Sequence, residues 1–380
     1  MSFRPSSLVS RLLARFQRIT TSGQFIPEID GLRFIAIVAV AFFHINHYLL
    51  SANQFTYQAA GESFKSSLAV FESGARGVEL FFAISGFILA LPFANQYLKQ
   101  GKAVPLAKFY ARRVTRLEPP YLLAMTLCFL LLCYTRGYQE YLASFVASLF
   151  YSHNFIWPRE VLPLVNPVAW SLEVEVQFYL IAPLVALIYK LARNPRRFLL
   201  ILLILSKLMS PGFLFAHRSL IDYYEFFLMG FLLADLFVER QLDATDHEWG
   251  CMLGAGLAFA GMWFGPYSTL PWSIGLFIFC CFKSRWIRRP LGNRWITSIG
   301  GMCYSIYLIH WMLITTLGSR VIFQITNSYT IDFIIHTALL AVLILGAGAI
   351  YFQLIERPCM ARDWPQRLFK RLKLFWHKAE

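Results

Sequence analysis

Charged residues are scarce in this sequence. They account for 15% of its 380 residues, whereas a soluble globular domain contains roughly 25%. Hydrophobic residues make up 57% of the chain, and its mean hydropathy is +0.53. So few charges cannot cover the surface of a soluble fold of this length. The composition therefore excludes a soluble globule and predicts an integral membrane protein.

Further absences narrow the function classes. The seven cysteines show no spacing typical of a zinc site or a disulfide framework, so no metal centre is predicted. The sequence shows no internal repeat, no low-complexity tract and no appended soluble domain. The net charge is +14, but the basic residues lie in short clusters between apolar runs. This distribution argues against a nucleic-acid-binding face.

The sequence contains many long apolar runs. A helix needs ~20 apolar residues to cross a bilayer, and ten runs reach or approach that length. They fall at residues 32–50, 78–94, 119–134, 170–190, 198–216, 221–238, 249–265, 268–282, 297–318 and 331–355. A shorter run at 141–152 is predicted to be an interfacial or re-entrant piece. The predicted fold class is all-α, a polytopic membrane protein with about ten transmembrane helices.

The basic residues predict the orientation. Six regions on one side of the predicted membrane hold 27 of the 35 Lys and Arg residues, and the opposite loops hold six. This asymmetry requires that 141–152 does not cross, because an eleventh crossing would move the later basic loops to the other side. By the positive-inside rule, both termini are predicted to be cytoplasmic.

The N-terminal segment has a pattern of its own. Residues 6–19 place apolar side chains along one helical face and arginines elsewhere, which predicts an amphipathic helix on the cytoplasmic leaflet. The alternative is a mitochondrial transit peptide, which has the same Arg- and Ser-rich, acid-free composition. The predicted parts of the chain are this segment (1–27), a transmembrane domain (28–358) and a basic cytoplasmic tail (359–380).

Two ionisable residues share the first apolar segment. Arg33 and His44 are eleven positions apart, which is within ~20° of three full helical turns, so both point to one face. Their axial separation is roughly 16 Å, with Arg33 near the cytoplasmic mouth. Ionisable groups inside spans are costly and mark functional sites by default. His44 is thus a candidate general base, the alternative being a satisfied polar core residue.

Arg113 and Arg116 form a second basic pair. Their spacing of three places two guanidinium groups side by side on a helix, an arrangement that suits phosphate recognition. The alternative, which spacing alone favours, is a positive-inside anchor on anionic lipid headgroups.

Two acidic residues lie near the beginning of the 170–190 segment. Glu173 and Glu175 cannot face one direction on a helix, so one is expected to line a cavity while the other caps the helix or meets water.

Several blocks of sequence, taken in order, resemble the acyltransferase-3 family of membrane-bound O-acyltransferases. The resemblance runs from about residue 28 to 358. The blocks are Glu28-Ile-Asp-Gly-Leu-Arg33 with His44, Gly77–Phe87, Arg113-x-x-Arg116, Trp170–Tyr179, Tyr304–His310 and Glu356-Arg357-Pro358.

The resemblance implies a function and a site. It implies transfer of an acyl group, usually acetyl from acetyl-CoA, to a hydroxyl of a carbohydrate or other cell-surface acceptor. Membership implies that Arg33, Arg113 and Arg116 bind the acyl-CoA, without a metal. His44 is then the predicted base or covalent relay, with Glu79 or Glu175 orienting its imidazole as further predicted catalytic residues. The expected acceptor is a glycan or lipid-linked glycan, and the expected location is the bacterial cytoplasmic (inner) membrane.

One rival interpretation is a secondary transporter or a flippase of a lipid-linked substrate. Histidine and glutamate residues at the membrane midplane also suit proton coupling. The sequence shows neither an internal repeat nor paired broken helices, which transporters more often have, and a transporter would not need the Arg113–Arg116 pair. A scaffold or receptor without catalysis ranks last, because it leaves buried Arg33 and His44 without a purpose.

Overall fold

The computed structural model describes residues 15–18, 25–51, 70–209, 216–244, 247–326, 328–361, 364 and 366. Within these ranges the regular structure is helical throughout. The helices, in chain order, are α1 (Pro27–Ser51), α2 (Gly77–Leu98), α3 (Leu106–Arg136), α4 (Gln139–Leu149), α5 (His153–Ile156), α6 (Ala169–Val185), α7 (Arg193–Met209), α8 (Tyr224–Val238), α9 (Glu248–Phe264), α10 (Leu270–Lys283), α11 (Arg285–Leu291), α12 (Arg294–Gly301), α13 (Cys303–Val321), α14 (Tyr329–Tyr351) and α15 (Arg357–Cys359).

The all-α prediction is confirmed, and each of the ten predicted apolar segments contains a helix. Five described helical stretches are long and apolar enough to cross a membrane: Pro27–Ser51, Val70–Leu98, Leu106–Arg136, Ala169–Lys190 and Tyr329–Cys359. A sixth is the pair α12 and α13, if the 67° bend between them falls within one span. These helices make the chain an integral membrane protein.

The shorter run at 141–152 forms helix α4. Its 11 residues span roughly 16 Å, about half the hydrocarbon thickness of a bilayer. The end of α4 packs on the middle of α3, where the Tyr121 hydroxyl donates to the Ser148 carbonyl at 2.8 Å. Helix α4 is thus too short to cross a bilayer by itself, and its end is held against α3.

Helix α3 begins at Leu106, 13 residues before the apolar run at 119–134, and so includes the Arg113–Arg116 pair. Pro119 and Pro120, at the beginning of that run, lie inside the helix. Proline removes one N–H, which leaves the carbonyl four residues earlier without its helical donor. Here the Trp364 indole N–H donates to the Thr115 carbonyl at 2.9 Å. A tertiary hydrogen bond thus replaces the missing helical one, and α3 continues.

Helices α2 and α8 are packed very closely. An added Cβ on Gly86 would lie 2.2 Å from the Phe227 carbonyl oxygen, and one on Gly230 would lie 2.2 Å from that of Ala83. The glycines therefore let the two backbones touch, as small residues do between membrane helices. Because α2 carries Glu79 and Ser85, this crossing fixes their height in the bundle.

The predicted parts at the two chain ends fall largely outside the described residues. Of the predicted amphipathic helix over 6–19, only residues 15–18 are described. The Arg15 carbonyl accepts a hydrogen bond from the Gln353 side chain at 2.6 Å. Residues beyond 366, most of the predicted basic tail, are not described.

Candidate active site

Asp30 is the centre of a charged cluster at the beginning of α1. Its Oδ1 atom accepts from Arg33 at 2.9 Å and from Arg18 at 3.2 Å, and its side chain is only 4% exposed. Arg116 of α3 also interacts electrostatically with Asp30. The bundle thus brings Arg33 and Arg116, predicted as binding residues, around one buried carboxylate.

The two arginines of the Arg-x-x-Arg pair are held differently. The Arg113 guanidinium lies 3.6 Å from the centre of the Phe109 ring and donates to the Phe109 carbonyl at 2.9 Å. The Arg116 Nε atom is inaccessible to solvent and has no hydrogen-bond acceptor within the described structure. A guanidinium has five N–H donors, and leaving a buried one unpaired is costly. Arg116 also interacts electrostatically with the buried Glu356, and its Nε atom is a hydrogen-bond donor that remains available to an incoming anion.

Four guanidinium groups belong to this cluster, which we call the arginine pole: Arg18, Arg33, Arg113 and Arg116. Glu175 lies beside it, because it interacts electrostatically with both Arg113 and Arg116. Glu175 also accepts a short hydrogen bond from the Ser85 hydroxyl of α2. This acid therefore balances charge at the pole.

Glu79 and Glu173 have other partners. Glu79 accepts from the Tyr267 hydroxyl at 3.2 Å, on the side of α2 that faces α10. Glu173 accepts from the Asn154 backbone N–H at 2.8 Å, so it binds the short helix α5. Glu173 and Glu175 point in different directions, as their spacing requires. Within the described contacts, neither Glu79 nor Glu175 touches His44.

The group that contacts the His44 imidazole is a second histidine. The Nδ1 atom of His44 lies 3.0 Å from Nε2 of His310 on α13. The His310 side chain is fully buried. Its Nδ1 atom lies 2.7 Å from the Tyr307 carbonyl oxygen and 3.2 Å from that of Ile306. The idea that a carboxylate orients His44 is thus not what the geometry shows, because His310 occupies that position.

Aromatic and hydroxyl groups surround the two histidines. The Trp311 ring lies 5.2 Å from the His44 ring, centre to centre. The Tyr307 ring lies 5.6 Å from that of His310. The Tyr307 hydroxyl is 2.7 Å from the Ser171 hydroxyl of α6. His44 therefore lies among groups that shield it from lipid and still offer hydrogen bonds.

Sequence reasoning did not assign a role to Arg18 or His310. Arg18 was placed on a surface helix, although its side chain is only 10% exposed and is paired with Asp30. His310 closes the Tyr304–His310 block within the apolar segment 297–318, and the sequence indicates no partner for it. Its distance of 266 residues from His44 hides the pair from any local pattern. Their shared signal is an ionisable side chain in or beside an apolar segment.

The site offers acid–base and anion-binding groups. Among the described residues, no group of three or more His, Cys, Asp or Glu side chains could hold a metal ion. All seven cysteines, which lie in described parts of the chain, are free.

The fold and the site together define a helical membrane protein with a buried histidine pair and an arginine cluster at one end of the same helix. The family model described as "Acyltransferase domain", that of the acyltransferase-3 family, matches residues 26–352. The chain belongs to the acyltransferase-3 family, which confirms the resemblance and the prediction of an acyltransferase. No solved structure is significantly similar to the chain.

Curated relatives match part of the chain. It is 28% identical over 200 residues to the O-acetyltransferase OatA of Staphylococcus aureus (strain NCTC 8325 / PS 47), which covers 50% of this chain and 29% of that protein. It is 28% identical over 193 residues to the peptidoglycan O-acetyltransferase OatA of Listeria monocytogenes serovar 1/2a, which covers 48% of this chain and 28% of that protein. The matched region spans less than a third of the length of these relatives.

Proposed function

We propose that this protein is a membrane-embedded O-acetyltransferase that moves an acetyl group from acetyl-CoA to a hydroxyl of a cell-envelope polysaccharide. The observation that carries the proposal is the placement of the arginine pole at the beginning of α1, through Arg33, and of His44 further along the same helix, inside a chain of this family. The printed names of the relatives, one of them a peptidoglycan O-acetyltransferase, support acetyl as the group and a cell-wall glycan as the acceptor.

The arginine pole is proposed to bind the phosphates of the donor. The planar, forked guanidinium group of arginine matches the geometry of phosphate oxygens. The unpaired buried Nε of Arg116 gives the incoming anion a hydrogen-bond donor. Arg33 and His44 are eleven residues apart, which is roughly 16 Å along a helix. A pantetheine arm is about as long, so a donor held at the pole can present its thioester near His44.

The proposed reaction uses His44 as a general base. The imidazole takes the proton of the acceptor hydroxyl while that oxygen attacks the acyl carbon, so a C–O bond forms and the C–S bond of the thioester breaks. The proton then passes to the leaving sulfur, and CoA departs as the thiol. The alternative in which His44 first takes the acyl group as a covalent relay uses the same site. Glu175 is proposed to act at the arginine pole, and a role for Glu79 stays a prediction.

The proposal includes the arrangement in the membrane. Ten crossings with both termini in the cytoplasm place the arginine pole on the side where acetyl-CoA is made. The bacterial sources of the relatives favour the bacterial cytoplasmic membrane. The proposed parts of the chain are an N-terminal cytoplasmic segment (1–27), the acyltransferase domain (28–358) and a basic cytoplasmic tail (359–380).

The test is acetyl transfer by the purified full chain in lipid vesicles, with soluble peptidoglycan fragments as acceptor. We expect CoA release that depends on the acceptor, and the His44→Ala variant should lose about 100- to 10,000-fold of it, the range that general-base catalysis contributes. His47→Ala is the matched control. His47 lies one turn further along α1 and is exposed, so its removal should leave the rate within about twofold, as surface substitutions usually do.

Two results would count against the proposal. Full activity in the His44→Ala variant would remove His44 from the chemistry. Well-folded wild-type protein that neither binds acetyl-CoA nor releases CoA with any glycan would favour the transporter alternative, and proton-coupled flux would then be the next measurement.

A further inference from the structure

The protonation of His310 follows from what surrounds it. Its Nδ1 atom faces the carbonyl oxygens of Tyr307 and Ile306 at 2.7 and 3.2 Å. A carbonyl oxygen can only accept a hydrogen bond, so Nδ1 carries the proton. A neutral imidazole has one N–H, which leaves Nε2 of His310 as an acceptor.

The same reasoning carries over to His44. The acceptor Nε2 of His310 lies 3.0 Å from Nδ1 of His44. For that contact to be a hydrogen bond, Nδ1 of His44 must donate, so the His44 proton sits on Nδ1. Its Nε2 atom then holds the free lone pair. Two backbone carbonyls thus determine, through one intervening ring, which nitrogen of His44 can take a proton.

We infer that His310 is a positioning residue that holds His44 in the tautomer protonated on Nδ1 and so makes Nε2 the basic nitrogen. The inference rests on the proposed function, in which His44 acts as the base. His310 does not contact the reacting atoms in this account. It remains neutral, and it keeps accepting from Nδ1–H of His44 when the second ring nitrogen becomes protonated during the reaction.

His310 also sets the direction in which His44 can act. With Nδ1 turned to α13, Nε2 is on the opposite side of the ring, away from His310. The aromatic ring of Trp311, 5.2 Å from that of His44, limits rotation of the imidazole. When the tautomer and the orientation of the base are both fixed beforehand, selecting them adds nothing to the free-energy barrier of the reaction.

A pair of substitutions tests this role. In the His310→Gln variant, the amide oxygen can accept from Nδ1–H of His44 while the amide N–H donates to the Tyr307 carbonyl. The His310→Met side chain has nearly the same length and shape but no comparable acceptor. Both variants remove a histidine and keep the volume approximately constant, so a purely structural role would affect them alike.

The expected result is a difference in turnover. His310→Met should lower kcat about 10- to 100-fold, a part of the full general-base contribution of ~100- to 10,000-fold, because His44 keeps its imidazole but loses the acceptor that selects its tautomer. His310→Gln should stay within about threefold of wild type. The KM for acetyl-CoA should be unchanged in both, since the arginine pole is untouched.

The spectroscopic test does not depend on turnover. Nitrogen-15 chemical shifts of labelled histidine distinguish Nδ1–H from Nε2–H imidazoles, and the His44 signal is assigned by its absence in the His44→Ala variant. We expect the Nδ1–H form in wild type and in His310→Gln, and a mixture of tautomers in His310→Met.

An Nε2–H form of His44 in wild type, or equal activity of the Gln and Met variants, would overturn the inference. If the tautomers are as expected but no acceptor gives CoA release, the proposed function fails and the positioning role of His310 stands. The two failures are therefore distinguishable.

Discussion

The Arg116 guanidinium keeps a buried hydrogen-bond donor without an acceptor in the described structure. Its Nε atom is buried without an acceptor, while Asp30 is already paired with Arg18 and Arg33. A charge-assisted hydrogen bond to a bound anion contributes about 1.5–3 kcal/mol. Arg116→Ala should therefore weaken acetyl-CoA binding about 10- to 100-fold, a range that isothermal titration of the protein in nanodiscs can resolve.

The matched control for this prediction is Arg112→Ala. Arg112 lies on the same helix and carries the same charge but is exposed, so its loss should change donor affinity by less than about threefold. Equal losses in the two variants would mean that general positive charge, rather than a built anion site, attracts the donor. They would return the Arg113–Arg116 pair to the role of a lipid-headgroup anchor.

At the residue scale, periodicity could predict only what lies on one helix. Arg33 and His44 share a face because eleven residues make almost three whole turns, and this needs no knowledge of neighbours. The contact between His44 and His310 depends on how α1 packs against α13, which no local pattern encodes. A carboxylate was expected as the partner because acids commonly orient histidines. In this bundle two backbone carbonyls and a second imidazole take that position.

At the element scale, the crossing of α2 and α8 is the tightest constraint on the site. Gly230 has no room for a methyl group, because its Cβ would lie 2.2 Å from the Ala83 carbonyl and 2.4 Å from the Phe87 nitrogen. Gly230→Ala must push the helices apart, and overpacking of this kind costs about 1–3 kcal/mol. We expect a lower melting temperature in detergent, measured by intrinsic fluorescence. Activity should fall as well, because α2 positions Ser85 beside Glu175.

Gly256→Ala serves as the control for this prediction. Gly256 lies within α9, is exposed, and has no atom within 4 Å of an added Cβ. Alanine favours a helix over glycine by roughly 0.5–1 kcal/mol, so this variant should melt at the same temperature or slightly higher. If Gly230→Ala also left the melting temperature unchanged, the α2–α8 contact would be looser than described.

Element boundaries show the limits of prediction from sequence. The ten apolar segments each contain a helix, because long apolar runs have few alternatives in a bilayer. The beginning of α3 lies 13 residues before its apolar run, and the helix continues through Pro119, although proline interrupts the helical hydrogen bonds. The donor that replaces one of them is Trp364, 249 residues away. Such a remote donor cannot be read from the sequence around the proline.

At the scale of the whole molecule, the proposed function requires that the donor and the acceptor reach His44 from opposite sides. The arginine pole lies near the beginning of α1, and the exposed His47 lies beyond His44 toward its end. A donor bound at the pole and a glycan arriving from the other face can therefore meet at one imidazole without either crossing the membrane completely. This arrangement suits an enzyme that modifies an external polymer with a cytoplasmic metabolite.

That argument requires that α4 does not cross the membrane, and alkaline phosphatase fusions in a bacterial host can test it. With ten crossings, a fusion after Gly265 at the end of α9 lies outside and should be active, whereas a fusion after Gly292 lies inside and should be inactive. An eleventh crossing at α4 would reverse both. A fusion after Lys102, which precedes α4, is inactive in either case and controls for expression. Reversed activities at 265 and 292 would place the C-terminal half of the molecule upside down relative to the arginine pole. The proposal that the acceptor reaches His44 from the outer face would then be wrong.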